Sequence, residues 1–258
     1  MKKVILFFVA VLVLGSTTLY AFTDNKVEES RTVTGFERIR LQGSPDIKYA
    51  QGKTWSVRVK APKSLIGKVV TRKEGNCLVV SIKSGSFFST GLRDNDVTVY
   101  VTSPDLIGVE VQGSGDFECR SHLDTDNLTL SLRGSGDIDF YDIICDKINT
   151  SVVGSGDVDI KKVIAKQSSV ELVGSGDVKV RQSQVNQTQI ELKGSGDVKV
   201  HCDNCGAVSC RLVGSGDITL TGTVKKHLLR YYIQKKNKYL FQQKFKKELE
   251  LFLILIME

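Results

Sequence analysis

Histidine is scarce in this sequence, with three copies in 258 residues. His122, His201 and His227 stand in no arrangement that resembles a Ser/His/Asp site. Hydrolysis of a polysaccharide would need carboxylates that converge on one face, and no segment of the chain is distinguished in this way. We therefore predict that the protein is not an enzyme and uses no cofactor.

Most of the chain also lacks an excess of either charge, although the formal net charge is +7. Residues 1–21 and 225–258 carry the surplus of lysine and arginine. The stretch between them, 22–224, has 25 basic and 26 acidic residues and is nearly neutral. Because nucleic acids bind through an excess of positive charge, we predict no nucleic-acid partner.

No apolar run is long enough to cross a bilayer as a helix. The longest, Val4–Leu14, follows Lys2 and Lys3 and precedes a small polar stretch that ends at Ala21. This pattern predicts a secretory signal peptide over 1–21, with a single-pass anchor as the alternative. We expect the mature chain to be exported to the periplasm or cell surface of a Gram-negative bacterium, with no stable membrane span.

What the sequence does contain is one tetrapeptide, Gly-Ser-Gly-Asp, in six copies. The copies start at Gly113, Gly134, Gly154, Gly174, Gly194 and Gly214, so the period is 20 residues with one step of 21. A fixed period of this length predicts a solenoid, in which each repeat buries its apolar side against its neighbours.

Apolar residues alternate with others on both sides of the tetrapeptide, as at Ile190 and Leu192 before it and Val198 and Val200 after it. A period of two predicts strands. Each repeat is therefore interpreted as one β-helix coil: strand, tight corner, strand and a variable connection such as 161–167 or 181–186. We expect the corner glycines to adopt positive φ, and valine at Gly176 or Gly196 would also crowd the coils above and below, so it should break the corner.

The corner aspartates should stack in a ladder, which is a candidate binding site. Its members are Asp116, Asp137, Asp157, Asp177, Asp197 and Asp217. Charges about 4.8 Å apart repel by about 0.9 kcal/mol in water. Either each carboxylate accepts backbone N–H bonds at a corner, which we favour, or the ladder binds Ca²⁺. One aspartate per coil supplies few of the six to eight oxygens that Ca²⁺ requires, so no metal is predicted.

Six cysteines in an exported chain raise the question of disulfides. Cys119 and Cys210 fall on inward positions, and Cys145 and Cys205 share a column with Ala165 and Val185, so small buried side chains explain all four. Cys202 is expected to face outward, and strand alternation sends the neighbouring His201 to the other side of the chain. A zinc site, a local disulfide and unpaired thiols are the alternatives, and unpaired thiols are favoured.

The region before the first complete tetrapeptide has strand patterns without a clean repeat. Gly43-Ser-Pro-Asp resembles a degenerate corner, which predicts irregular coils over 30–108 ahead of regular coils over 109–224, after a short lead at 22–29. An insertion at Ser84–Asn95 contains Phe87 and Phe88, a candidate binding feature that could equally be a hairpin tip.

Several landmarks in this region resemble those of the head GIN domain family. They are Arg31-Thr-Val-x-x-Phe36-x-x-Ile39, Gly52, Val57-x-Val59-x-Ala61-Pro62, Leu78-x-Val80 and Val97-x-Val99-x-Val101-x-x-Pro104-x-Leu106, followed by Gly113-Ser-Gly-Asp. That family carries the provisional name of auto-transporter adhesins and is typical of Bacteroidetes-type bacteria. The resemblance implies an all-β fold, a single-stranded right-handed parallel β-helix, and an exported adhesin, and it brings no catalytic residues.

Residues 225–258 differ abruptly in composition, with no Gly, Ser, Thr, Asp or Val. Two interpretations remain open, a frameshift product and a capping helix with apolar residues at helical spacing. For the whole chain we predict an exported, non-enzymatic, adhesin-like binding module with an unidentified protein or glycan partner, which could also self-associate through an open β-helix edge. The alternative is a structural or signalling accessory protein of the periplasmic envelope.

Overall fold

The computed structural model describes residues 26–83, 97–231 and 252–253. The predicted signal peptide, the predicted 84–95 insertion with Phe87 and Phe88, and most of the 225–258 tail therefore lie outside the described residues. Within them, no helix has the length and apolar character needed to cross a membrane.

Seventeen strands and one short 3-10 helix (Ile66–Lys68) make up the described chain. The first nine strands are β1 (Lys26–Arg31), β2 (Arg38–Gly43), β3 (Asp46–Gln51), β4 (Ser56–Pro62), β5 (Val69–Glu74), β6 (Cys77–Ile82), β7 (Thr98–Ser103), β8 (Gly108–Gly113) and β9 (Phe117–Asp124). The others are β10 (Asn127–Gly134), β11 (Ile138–Gly154), β12 (Val158–Gly174), β13 (Asp177–Ser183), β14 (Gln187–Gly194), β15 (Asp197–Gly214), β16 (Asp217–Tyr231) and β17 (Phe252–Leu253).

The predicted solenoid is confirmed, and it has about 6 turns. From β8 onward each coil pairs in parallel with the next, in the register that the repeat dictates: Leu132 pairs with Val152, and Gly154 with Gly174. Strand segments before the corners form one face, the pre-corner face, and those after the corners form the post-corner face. The predicted connection at 161–167 is not a loop, because β12 runs unbroken from one corner to the next.

The first coils are not stacked in chain order. β2 pairs in parallel with β6 on one side and with β8 on the other, and β3 lies likewise between β7 and β9. The coil of β2 and β3 is thus inserted between two coils that follow it in sequence. Antiparallel pairs join β1 to β4, β4 to β7 and β5 to β6, so this end is not purely parallel.

The degenerate corner belongs to the same stack as the complete ones. Gly43 pairs with Gly113 and has a φ of 94°, and Ser114 and Gly115 donate backbone hydrogen bonds to the Gly43 carbonyl. Pro45 occupies the position of Gly115, but proline has no backbone N–H and cannot donate the bond that Gly115 donates to the neighbouring coil. The prediction that Gly43-Ser-Pro-Asp is a corner is confirmed.

The core is a column of inward side chains that extends from coil to coil. Phe36, Phe117 and Phe140 are among its largest fully buried members. The Phe117 ring lies 6.1 Å from that of Tyr49 and 5.5 Å from that of Phe140, both in stacked orientations. Further along the axis β-branched residues such as Val178 and Val198 take over, and a few buried polar side chains such as Gln182 and Thr188 lie among them.

The last described coil continues past the predicted end of the β-helix at residue 224. β16 stays paired with β15 as far as Tyr231, which pairs with Leu212. β17 then pairs in parallel with β16 at Leu228 and Leu229. The rest of the predicted tail, whether frameshift product or cap, lies outside the described residues.

Candidate functional site: the corner ladder and the post-corner groove

Each corner brings the backbones of successive coils into direct contact. Gly174 has a φ of 141°, and its carbonyl accepts hydrogen bonds from the backbone N–H groups of Ser195 and Gly196 in the next coil. The second corner glycine, Gly176, does not have a positive φ, which corrects our expectation for this position and for Gly196. Gly176 is needed for space instead, since a Cβ there would lie 2.1 Å from the Gly156 carbonyl oxygen.

The corner aspartates form the expected ladder, and each carboxylate is used by the next coil. Asp116, Asp137, Asp157, Asp177 and Asp197 each accept, through Oδ1, the backbone N–H of the aspartate one coil on, at 2.8 to 3.4 Å. Asp46 extends the ladder by bonding Asp116 N–H at 3.2 Å. The sequence predicts a degenerate corner that ends at Asp46, but Asp46 is not among the predicted members of the ladder. These bonds agree with the favoured explanation of the ladder.

Stacking the aspartates disfavours their charged form, as the raised pKa values of two of them show. Burial raises the pKa of Asp137, and the charges of Asp116 and Asp157 add to the rise, while the hydrogen bond from Asp157 N–H opposes it. Burial likewise raises the pKa of Asp46. In the described part of the chain no three His, Cys, Asp or Glu side chains are grouped so that they could hold a metal ion. The ladder therefore joins neighbouring coils through hydrogen bonds from backbone N–H groups to aspartate carboxylates at the corners.

Asp137→Asn should stabilise the protein at pH 7. The amide oxygen can still accept the Asp157 N–H bond, but the repulsion from Asp116 and Asp157 is removed. Because the folded pKa of Asp137 is raised, the native state binds more protons than the unfolded state between the two pKa values. Wild-type stability therefore falls as pH rises through that window, starting from about 3.9.

Urea denaturation at pH 7 and pH 3 measures this effect. The advantage of Asp137→Asn should be present at pH 7 and disappear at pH 3, where Asp137 is protonated. Asp126→Asn, an exposed change outside the ladder, should show no such pH dependence. If Asp137→Asn and Asp137→Ala lose equal stability at pH 7, the hydrogen-bonding role is wrong.

A concave surface with a volume of about 860 Å³ lies on the post-corner face. We call it the post-corner groove. It crosses the coils of β11, β12, β13, β15 and β16 and is open to solvent along the solenoid axis. Its cations are Lys161, Lys162, Lys179, Arg181 and Lys199, and its acidic residues are Asp142 and Asp159.

The acidic residues of the groove are already paired within the chain. Asp142 contacts His122 Nδ1 at 2.9 Å and Lys162 Nζ at 3.2 Å, and Lys161 donates a hydrogen bond to Asp159. Burial raises the pKa of Asp142, but the hydrogen bond with His122 and the charge of Lys162 outweigh it and hold the pKa below its usual value. The arrangement supplies no uncommitted carboxylate for acid–base chemistry.

Comparison with known families decides where this chain belongs. A family model described as "Putative auto-transporter adhesin, head GIN domain" matches residues 35–223. The chain belongs to the head GIN domain family. A comparison with curated proteins finds no match.

Solved structures share the fold of this head GIN domain. A "putative adhesin" from Bacteroides fragilis is 22% identical, with a TM-score of 0.60 over 80% of this chain and 96% of the other. One from Parabacteroides merdae is 18% identical, with a TM-score of 0.60 over 81% and 95%. A "putative lipid binding protein" from Parabacteroides distasonis is 19% identical, with a TM-score of 0.53 over 79% and 97%.

The cysteines of the head GIN domain are all unpaired. Cys119, Cys145, Cys205 and Cys210 are buried as expected. Cys202 is also buried, which corrects the prediction that it faces outward. A bulge after Ile160 pairs Val163 with Gln182, so the column of Cys202 continues to Val163 and not to Lys162. His201, by contrast, is exposed and contacts the Thr221 hydroxyl at 2.9 Å.

Sequence reasoning found some of the groove and missed the rest. The alternation that places Val198 and Val200 inward predicts that Lys199, and Lys179 one coil earlier, face outward, whereas Lys161 and Arg181 fall within the predicted variable connections. The strand pattern contains a signal for these two residues. Lys161 lies two positions after Asp159 and Arg181 two positions after Lys179, and Asp159 and Lys179 belong to one outward column. Extending the strand alternation by one step would have placed them on the same face.

Proposed function

We propose that this head GIN domain protein is an exported, non-enzymatic, adhesin-like binding module. The observation that carries the proposal is the solvent-open groove across successive coils, built from outward side chains on a rigid parallel sheet. Residues on regular strands hold fixed spacings, so such a surface suits recognition of an extended partner. The paired state of Asp142 and Asp159 supports a binding role over a catalytic one.

The partner is proposed to be a protein or glycan of the cell surface or periplasm, bound without a cofactor or metal. Self-association through an exposed β-helix edge is a further part of this proposal, since unpaired strand edges recruit other strands. The alternative function is a structural or signalling accessory protein of the envelope. Solved relatives with this fold carry both adhesin and lipid-binding names, so the fold alone does not choose the ligand.

Binding of the purified mature chain to an array of glycans and extracellular-matrix proteins tests the proposal, together with fractionation of the producing cells. We expect binding to at least one ligand class and a signal peptide that is removed on export. Absence of binding, combined with a strictly periplasmic location, would favour the accessory role. Hydrolysis of a polysaccharide that is lost on mutating one acidic pair would overturn the non-enzymatic assignment.

A further inference from the structure

The sign of the charge changes along the post-corner face. In one outward column the parallel register places Asp139, Asp159, Lys179, Lys199 and Thr219 in successive coils. The column two residues further on runs from Arg181 through His201 to Thr221. Basic side chains are therefore collected in the coils of β12, β13 and β15, where the post-corner groove lies.

Two of these cations have no ion-pair partner in the described part of the chain. Lys161 and Lys162 are paired with Asp159 and Asp142, and Lys199 with Asp197 at 3.2 Å. Lys179 and Arg181 make no ion pair within 4.0 Å there, although the charge of Lys179 acts on the Asp137 carboxylate and counteracts the rise in its pKa, and both cations are exposed. With five basic and two acidic side chains lining the groove, the surplus of positive charge is concentrated at its centre.

Lys179 and Lys199 lie in adjacent coils about 4.8 Å apart, and Arg181 lies two residues after Lys179, an arrangement of like charges that an anionic ligand would relieve. Cations spread over two coils suit a chain with several anions better than a single small anion. Arginine and lysine on a rigid sheet also present N–H donors to carboxylate, sulfate or phosphate oxygens in charge-assisted hydrogen bonds.

The other groove residues fit a sugar chain better than a nucleic acid or a second copy of this protein. Thr219 and Thr221 supply hydroxyl groups beside the cations. Tyr141, with a relative exposure of 63%, is the single Phe, Tyr or Trp of the described lining, whereas single-stranded nucleic acids need several stacking platforms. A second copy that docked through the same face would bring Asp142 and Asp159, which are already paired within the chain, and Asp139 as the one carboxylate of the outward column without an ion pair among the described residues.

We propose that the post-corner groove binds a linear anionic glycan, with Lys179 and Arg181 as its principal contacts and Lys199 beside them. This inference rests on the proposed function and specifies its ligand class. The carboxylates, sulfates or phosphates of the glycan lie along the solenoid axis and pair with cations of successive coils.

Titration of the full mature chain with defined polymers tests the groove. The probes are heparin for sulfate, polygalacturonate for carboxylate, a phosphorylated mannan for phosphate, and dextran as the neutral control. We expect at least one anionic glycan to bind, with affinity that falls steeply as salt rises, and dextran not to bind. Lys179→Ser/Arg181→Ser should weaken that binding at least about tenfold.

Arg133→Ser/Lys147→Ser is the matched control, because it removes two exposed cations from other parts of the surface. Its binding should stay within about twofold of wild type. Circular dichroism and thermal melting of both double variants verify that the fold is intact. Outward positions on the sheet tolerate serine, so both are expected to melt near the wild-type temperature.

The outcomes separate this inference from the proposed function. If an anionic glycan binds both double variants equally, its site lies outside the groove. That result would overturn the groove assignment but not the proposal that the protein is a binding module. Tighter binding to a single-stranded oligothymidylate than to any glycan would show that the groove binds nucleic acid and not a glycan. Salt-sensitive dimerisation lost in Lys179→Ser/Arg181→Ser would assign the groove to a second copy. No binding to any glycan or matrix protein would overturn both proposals.

Discussion

Gly176→Val is expected to lower the free energy of unfolding by at least about 3 kcal/mol. A Cβ at this position would lie 2.1 Å from the Gly156 carbonyl oxygen and 3.0 Å from the Gly156 carbonyl carbon. Those atoms are backbone of the neighbouring coil, and the same coil holds its place through the Gly154 carbonyl, which accepts N–H bonds from Ser175 and Gly176. Relief of the clash therefore requires two coils to move apart and their ladder bonds to lengthen.

Urea denaturation followed by circular dichroism measures this loss. Gly67→Ala is the matched control, because a Cβ at Gly67 meets nothing within 4 Å and its φ is not in the left-handed region. It should change stability by no more than about 0.5 kcal/mol. Lys179→Ser, an outward change on the following strand, should also be nearly neutral. Equal losses in Gly176→Val and these controls would show that the close contact between corners is not a stabilising element.

Phe117→Ala should cost about 3–5 kcal/mol of stability. The Phe117 side chain is fully buried and lies between the rings of Tyr49 and Phe140, which belong to the coils on either side. Truncation leaves a cavity at the junction between the inserted coil of β2 and β3 and the regular coils. Neighbouring rings are held by their own strands and can fill that space only in part.

Thermal and chemical denaturation of Phe117→Ala, Phe117→Leu and Tyr141→Ala distinguishes packing from general loss of an aromatic residue. Phe117→Leu keeps most of the buried volume and should cost less than half as much as alanine. Tyr141→Ala removes an exposed ring and should leave stability nearly unchanged. A loss for Tyr141→Ala as large as that for Phe117→Ala would contradict the assignment of Phe117 to the stacked core.

Part of the candidate site follows from local patterns alone. The ladder was predictable because its aspartates recur at the repeat period, and a parallel stack with a fixed period must align equivalent positions. Even the hydrogen-bonding role could be inferred, since a column of like charges needs compensation and backbone N–H groups are abundant at corners. The outward character of Lys179 and Lys199 followed from strand alternation after the corner.

Errors arose where the register depends on something other than the repeat. Cys202 was assigned to the wrong side because a bulge between Ile160 and Val163 shifts the pairing within one coil. A bulge changes which residues face inward without changing the period of the tetrapeptide. For Gly176 the sequence predicts both a positive φ and crowding between coils, whereas only the first glycine of each corner has a positive φ. The second is excluded from carrying a side chain by the carbonyl of another coil, which is a contact distant in sequence.

The solenoid, the positions of its corners, the alternation that separates core from surface, and the near neutrality of residues 22–224 all follow from the order of residues along the chain. Each is a local or periodic property, so it is visible without knowing which strands are neighbours. Three features come from the folded arrangement alone: the coil of β2 and β3 lies between later coils, antiparallel strands pair at that end, and the cations gather in one groove. Those features depend on pairing between residues far apart in the chain, for which alternation and period leave several registers equally acceptable.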